Sequence, residues 1–136
     1  MSIESTENAN RFMTWLNAGI TKGFISVNKE NSVVHFLAEG MALKSPIIFK
    51  IFTEQDRELQ RQSDSWKLIH RDLIRQKWHM TIGARKLNTL KLFPTSTEKD
   101  SGSIKIHSVI VIQNPAKYIT IVPNNSELFC LRLTAS

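Results

Sequence analysis

Between Lys67 and Lys91 the chain carries seven basic residues (Lys67, Arg71, Arg75, Lys77, Arg85, Lys86 and Lys91) against one acid, Asp72. The block opens on helical periodicity and runs into a strand pattern. Its helical part must turn Trp66, Ile69 and Leu73 inward and leave Lys67, Arg71 and Arg75 in water. Residues 1–66 sum to −1 and residues 92–136 to +1, so this block supplies the whole formal charge of +6. A basic face beside a strand is the electrostatic footprint of a nucleic-acid partner.

The rest of the chain excludes several classes. Its 136 residues suit one domain, 1–136, large enough to bury a core unaided. Cys130 is the sole cysteine, which rules out an internal disulfide and a Cys-rich zinc site and fits a reducing, cytoplasmic setting. No run approaches the ~20 apolar residues of a membrane span. The polar start, MSIESTENAN, predicts a disordered lead-in over residues 1–7, as at a cut from a longer protein.

Phe12, Trp15, Leu16 and Ile20 share one helical face and predict a helix over 8–22, stopped by Gly23. Phe24 to Val27 and Val33 to Ala38 read as paired strands around the polar turn Asn28–Ser32, with Gly40 as the break. Ser45-Pro46 predicts a helix start, Ser45 as cap and Pro46 in the first turn, and Ile47, Ile48, Ile51 and Phe52 give that helix its buried face. Residues 53–65 hold only Leu59 as an apolar residue and either extend the helix or form a solvated connector. Ser63 or Ser65 then caps a helix over 65–78, on which Lys67, Arg71 and Arg75 recur every four residues. Leu87 to Phe93 and Ile104 to Ile112 predict a hairpin with a polar tip over 94–102. A short helical turn through Tyr118 and a last strand, Glu127 to Leu133, complete the pattern.

Helix, strand hairpin, helix, helix, hairpin with a long tip is the order of a winged-helix domain, an α+β fold with an N-terminal β-hairpin and a C-terminal β-hairpin wing. In such domains the second helix of the pair enters the major groove of duplex DNA. The basic stripe falls on that helix.

The segment FMTWLNAGITKGFISVNKENSVVHF, followed by EGMALKSPIIFKIF, resembles the C-terminal domain of TraI-type (MobH-class) relaxases. The likeness rests on Trp15-Leu16, Gly19-Ile20, Gly23, Asn28, His35-Phe36, Gly40 and Ser45-Pro46 with Phe49; after residue 87 it is one of layout. It implies a winged-helix-like module of a protein that processes DNA in conjugation or genomic-island transfer. The nicking chemistry of such proteins belongs to an upstream part, so no catalytic residue carries over. Other conjugation proteins and that upstream part are the implied partners beside DNA.

The candidate nucleic-acid-binding residues are Lys67, Arg71, Arg75, Lys77, Arg85 and Lys86. Arginine's planar fork suits phosphate or the guanine edge, while lysine serves as a point charge. The competing reading is a solvated helix face partly paired by Asp64 and Asp72. His70-Arg71-Asp72-Leu73 spells the start of a kinase catalytic loop, but Lys77 stands where the metal-binding asparagine belongs. His35, His70, His79 and His107 show no metal-ligand spacing, so no metal or cofactor is expected. Trp66 reads as core and Trp78 as either core or a base-stacking surface. Cys130 reads as a buried thiol.

Overall fold

The computed structural model describes residues 3–62, 64–95 and 106–131. Along the chain run α1 (Ile3–Lys22), β1 (Val34–Leu37), β2 (Gly40–Lys44), α2 (Ile47–Gln55), a 3-10 turn (Leu59–Arg61), α3 (Ser65–Arg75), β3 (Leu90–Pro94), β4 (His107–Ile112), a second 3-10 turn (Pro115–Lys117) and β5 (Phe129–Leu131). The five strands form one antiparallel sheet in the order β1-β2-β4-β3-β5. The fold is α+β.

The sheet curls until its two ends nearly meet, giving a barrel-like form. Ser126, just before β5, donates its N–H to the Phe36 carbonyl of β1 at 2.6 Å. The rings of His35 and Phe129 touch across the same gap, 4.6 Å between centroids. Asn28 seals the outer edge of β1 further: its Oδ1 accepts from the Phe36 N–H at 2.7 Å and its Nδ2 donates to the Asn124 carbonyl at 2.6 Å.

Curling gives the sheet two covered faces. Val34, Phe36, Met41, Leu43, Ile110 and Ile112 face the helices, where they meet Phe12 and Leu16 of α1, Ile48, Phe49 and Phe52 of α2, and Ile69 and Leu73 of α3. Leu37, Ala42, Leu90, Leu92, Val109, Val111 and Phe129 fill the inside of the curl. Strands covered on both faces need no alternation, which is why Ile110-Val111-Ile112 is a continuous apolar run.

Several sequence expectations change here. α1 begins at Ile3, so residues 3–7 belong to a helix and not to a lead-in. The first hairpin joins β1 to β2, with Val34 opposite Leu43 and Leu37 opposite Gly40. Phe24 to Val27 is not a strand; only Val27 makes a bridge, to Val34. Gly40 therefore opens a strand instead of breaking one. At α2, Pro46 takes the N-cap position with no side-chain cap, and its carbonyl accepts from the Phe49 and Lys50 N–H groups at 3.0 and 3.2 Å. α3 stops at Arg75, and Lys77 turns into the left-handed region at φ 60°. Among the described residues Leu87 pairs only with Ile82, and β3 starts at Leu90. Cys130 is exposed, not buried. Of the expected tip, 94–102, Pro94 ends β3, and residues 96–102 lie outside the described residues, as do the ends of two expected strands, 104–105 and 132–133.

His35 behaves as a structural residue. It is fully buried, and its Nε2 donates to the Ser32 carbonyl at 3.0 Å. Burial, reinforced by the positive charge of Lys44, lowers its pKa from 6.5 to about 4. Burial and His79 also lower that of His70. The unfolded chain thus binds more protons than the native one as pH falls below about 6.5, and native stability falls with it until His35 titrates near pH 4. Urea denaturation at pH about 7.5 and about 5 should show a loss from His35 of at most about 2 kcal/mol at the lower pH. Equal midpoints would contradict the neutral, buried assignment.

Candidate nucleic-acid interface

α3 is set down on the fold by four buried residues, Ser65, Ile69, Asp72 and Leu73. Ser65 Oγ donates to the Leu59 carbonyl at 2.7 Å, tying the start of α3 to the preceding 3-10 turn. Asp64 occupies the N-cap position in the left-handed region, at φ 59°. The opposite face carries Lys67, Arg71 and Arg75, whose side chains are 64, 52 and 50% exposed. The stripe expected from the sequence is thus at the surface.

The one acid of the basic block proves central to it. The Asp72 side chain is only 1% exposed. Its Oδ2 accepts from Asn8 Nδ2 of α1 at 2.8 Å. Its Oδ1 accepts from Nε of Arg71 at 3.1 Å, with Nη2 of Arg71 also 3.1 Å away and Arg75 Nη1 at 4.0 Å. A buried carboxylate needs this much compensation, because its desolvation would otherwise cost several kcal/mol. The arrangement locks α1 to α3 and holds two guanidinium groups along one edge of the stripe. Arg71 spends its Nε–H on Asp72 and has its terminal N–H groups to offer solvent or a ligand. With Lys67 also 3.7 Å from Asp64, three cations stand against two carboxylates on α3 and its cap. The stripe is therefore ordered and only modestly positive.

Asp72→Ala should cost about 2 kcal/mol, because it leaves the buried Asn8 amide without its acceptor and frees both arginines. Thermal denaturation checks this; an unchanged midpoint would mean that the network adds nothing to docking of α1 on α3.

The remaining predicted residues are less well grouped. Lys77 is exposed just beyond α3. Arg85 and Lys86 lie in a tight loop closed by reciprocal bonds between Ile82 and Leu87, at 3.1 and 2.9 Å. His79 anchors the same region through Asn88 Oδ1 at 2.7 Å. Trp78 is partly buried and stacks on Tyr118, centroids 5.1 Å apart, so it belongs to the core margin. His70-Arg71-Asp72-Leu73 lies within α3, with Asp72 occupied by Asn8 and Arg71.

One cation that the sequence reading did not place here, Lys50, stands beside the stripe. Lys50 of α2 and Lys67 both lie over the Trp66 ring, at 5.4 and 5.8 Å from its centroid. The i,i+4 spacing within α3 could not reveal Lys50, since it arrives from another helix.

Elsewhere, two shallow depressions of about 610 and 570 Å³ follow α1 and share Trp15 and Ala18. Among the described residues no group of three or more His, Cys, Asp or Glu side chains could hold a metal ion. No helix among them is long and apolar enough to cross a membrane.

The molecule is thus an α+β domain presenting a cationic helix next to a nearly closed sheet. Residues 7–131 match the family described as "Putative conjugal transfer nickase/helicase TraI C-term", and the chain belongs to that family of TraI C-terminal domains. It is similar to the crystal structure of the C-terminal domain of Salmonella enterica protein STY4665, with a TM-score of 0.69 and 18% identity over 97% of this chain and 100% of that one. At that identity the likeness concerns the fold. A search of curated proteins gave no match.

Proposed function

We propose that this domain is the non-catalytic DNA-binding module of a conjugative-transfer or genomic-island relaxase-like protein, acting on duplex DNA in the cytoplasm. The observation that carries the reading is the exposed stripe Lys67, Arg71 and Arg75 on the second helix of the α2–α3 pair. Connectivity supports it. The run α1, β2, α2, α3, β3 and β4, with β4 lying between β2 and β3, is compatible with a winged-helix order if β1 and β5 are read as additions at the two ends of the sheet. On this reading α3 enters the major groove, the arginines held by Asp72 meet phosphates or guanine edges, and the β3–β4 hairpin is the wing. Lys77, Arg85 and Lys86 extend the positive track beyond α3.

Fluorescence anisotropy with a labelled duplex tests this directly. The reading requires saturable binding at low salt, weakening steeply as salt rises. A second reading, docking on an acidic protein or on an upstream part of the same protein, draws on the partial neutralisation of the stripe by Asp64 and Asp72. It requires a stoichiometric protein complex and no duplex binding near micromolar concentration.

A further inference from the structure

We propose that Lys50, Trp66 and Lys67 form a phosphate clamp that carries the nucleic-acid contact from α3 on to α2. This rests on the DNA-binding reading of the α3 stripe and adds a residue from a second helix to it. The geometry is specific. Trp66 lies on the side of α3 that turns toward α2, and its ring is half-buried against the core. That anchors the indole while leaving part of its face in solvent. Two ammonium groups from different helices sit over the ring, at 5.4 and 5.8 Å from its centroid. Ammonium groups are attracted to the negative face of an indole, which restrains two otherwise mobile side chains.

The charges around the pair leave it cationic. Lys67 is 3.7 Å from the exposed Asp64 carboxylate, a weak surface pair. Among the described residues no ion pair involves Lys50, and Glu54 is the acid one turn further along α2. His70, which also faces α2 through an edge contact with Phe49 at 5.2 Å, stays neutral at physiological pH because burial lowers its pKa. Two restrained ammonium groups beside an aromatic plate suit the singly charged backbone phosphate, whose two non-bridging oxygens accept hydrogen bonds from ammonium donors. In a helix pair docked by α3 in the major groove, α2 faces the flanking backbone, so a phosphate contact there fits the geometry.

Lys50→Gln tests the clamp, since an exposed lysine on α2 can be neutralised without disturbing the core. With a short duplex as probe, Lys50→Gln should weaken binding severalfold and make the slope of log affinity against log salt shallower by about 1, uniformly across unrelated sequences. Trp66→Phe provides an independent readout: the binding-linked change in tryptophan emission should be lost, although Trp15 and Trp78 remain. A slope for Lys50→Gln equal to that of the wild type, with Arg71 and Arg75 still required, overturns the clamp and leaves the α3 reading standing. Absence of any duplex binding by the wild-type protein overturns both.

Discussion

Arg71→Glu/Arg75→Glu is expected to weaken duplex binding by about 100-fold or more at low salt. The double change removes two favourable phosphate partners and substitutes two repulsive ones, and backbone charge contacts dominate affinity in such interfaces. Lys29→Glu/Lys117→Glu makes the same change in net charge at exposed positions away from α3, and should leave binding nearly intact. Because Arg71 is bonded to the buried Asp72, a glutamate at 71 would face a carboxylate that has lost this guanidinium. Arg71→Gln/Arg75→Gln avoids that repulsion and keeps amide donors; it should still lose about tenfold. Thermal melting of each variant separates loss of fold from loss of contact. Equal losses in the α3 and control pairs would mean that net charge, not the stripe, governs binding.

Gly40→Ala is expected to cost about 3 kcal/mol or more, lowering the melting midpoint by roughly 10 °C. Gly40 has φ +150°, and a Cβ there would lie 2.4 Å from the Ile112 carbonyl oxygen and 3.0 Å from Val111 Cγ1. The backbone of β4 cannot yield, because β4 is hydrogen-bonded on both sides, to β2 and β3. Gly23 makes the control. Its φ is +82°, but among the described residues nothing lies within 4 Å of an added Cβ, so Gly23→Ala should cost only about 1 kcal/mol of backbone strain. If the two variants melt together, the close approach of β2 to β4 is not what Gly40 serves.

Gly40 also shows where the sequence was legible. Strong periodicity placed α1, α2 and α3 within a few residues, and the continuous apolar run placed β4. The strand Gly40–Lys44 was invisible because GMALK has neither alternation nor β-branched residues, and both of its faces are covered. Phe24 to Val27 looked more strand-like, yet Phe24 is 84% exposed, and the edge of β1 is sealed by Asn28 and Ser126. Propensity lost to long-range closure of the sheet, which no local window records. At the site, the i,i+4 stripe was legible because it lies within one helix. The roles of Asp72, Asn8 and Lys50 were not, since each depends on a neighbour 64 residues away or on another helix. Asp72 read as a minor offset to the charge, whereas its burial makes it the residue that orients two arginines.

The salt dependence of duplex binding tests the central claim most directly. If α3 and its neighbours neutralise about four phosphates, log affinity should fall with log salt at a slope near −4. A wild-type slope shallower than about −1, or no duplex binding at low salt, would contradict the assignment of α3 as a DNA-contacting helix.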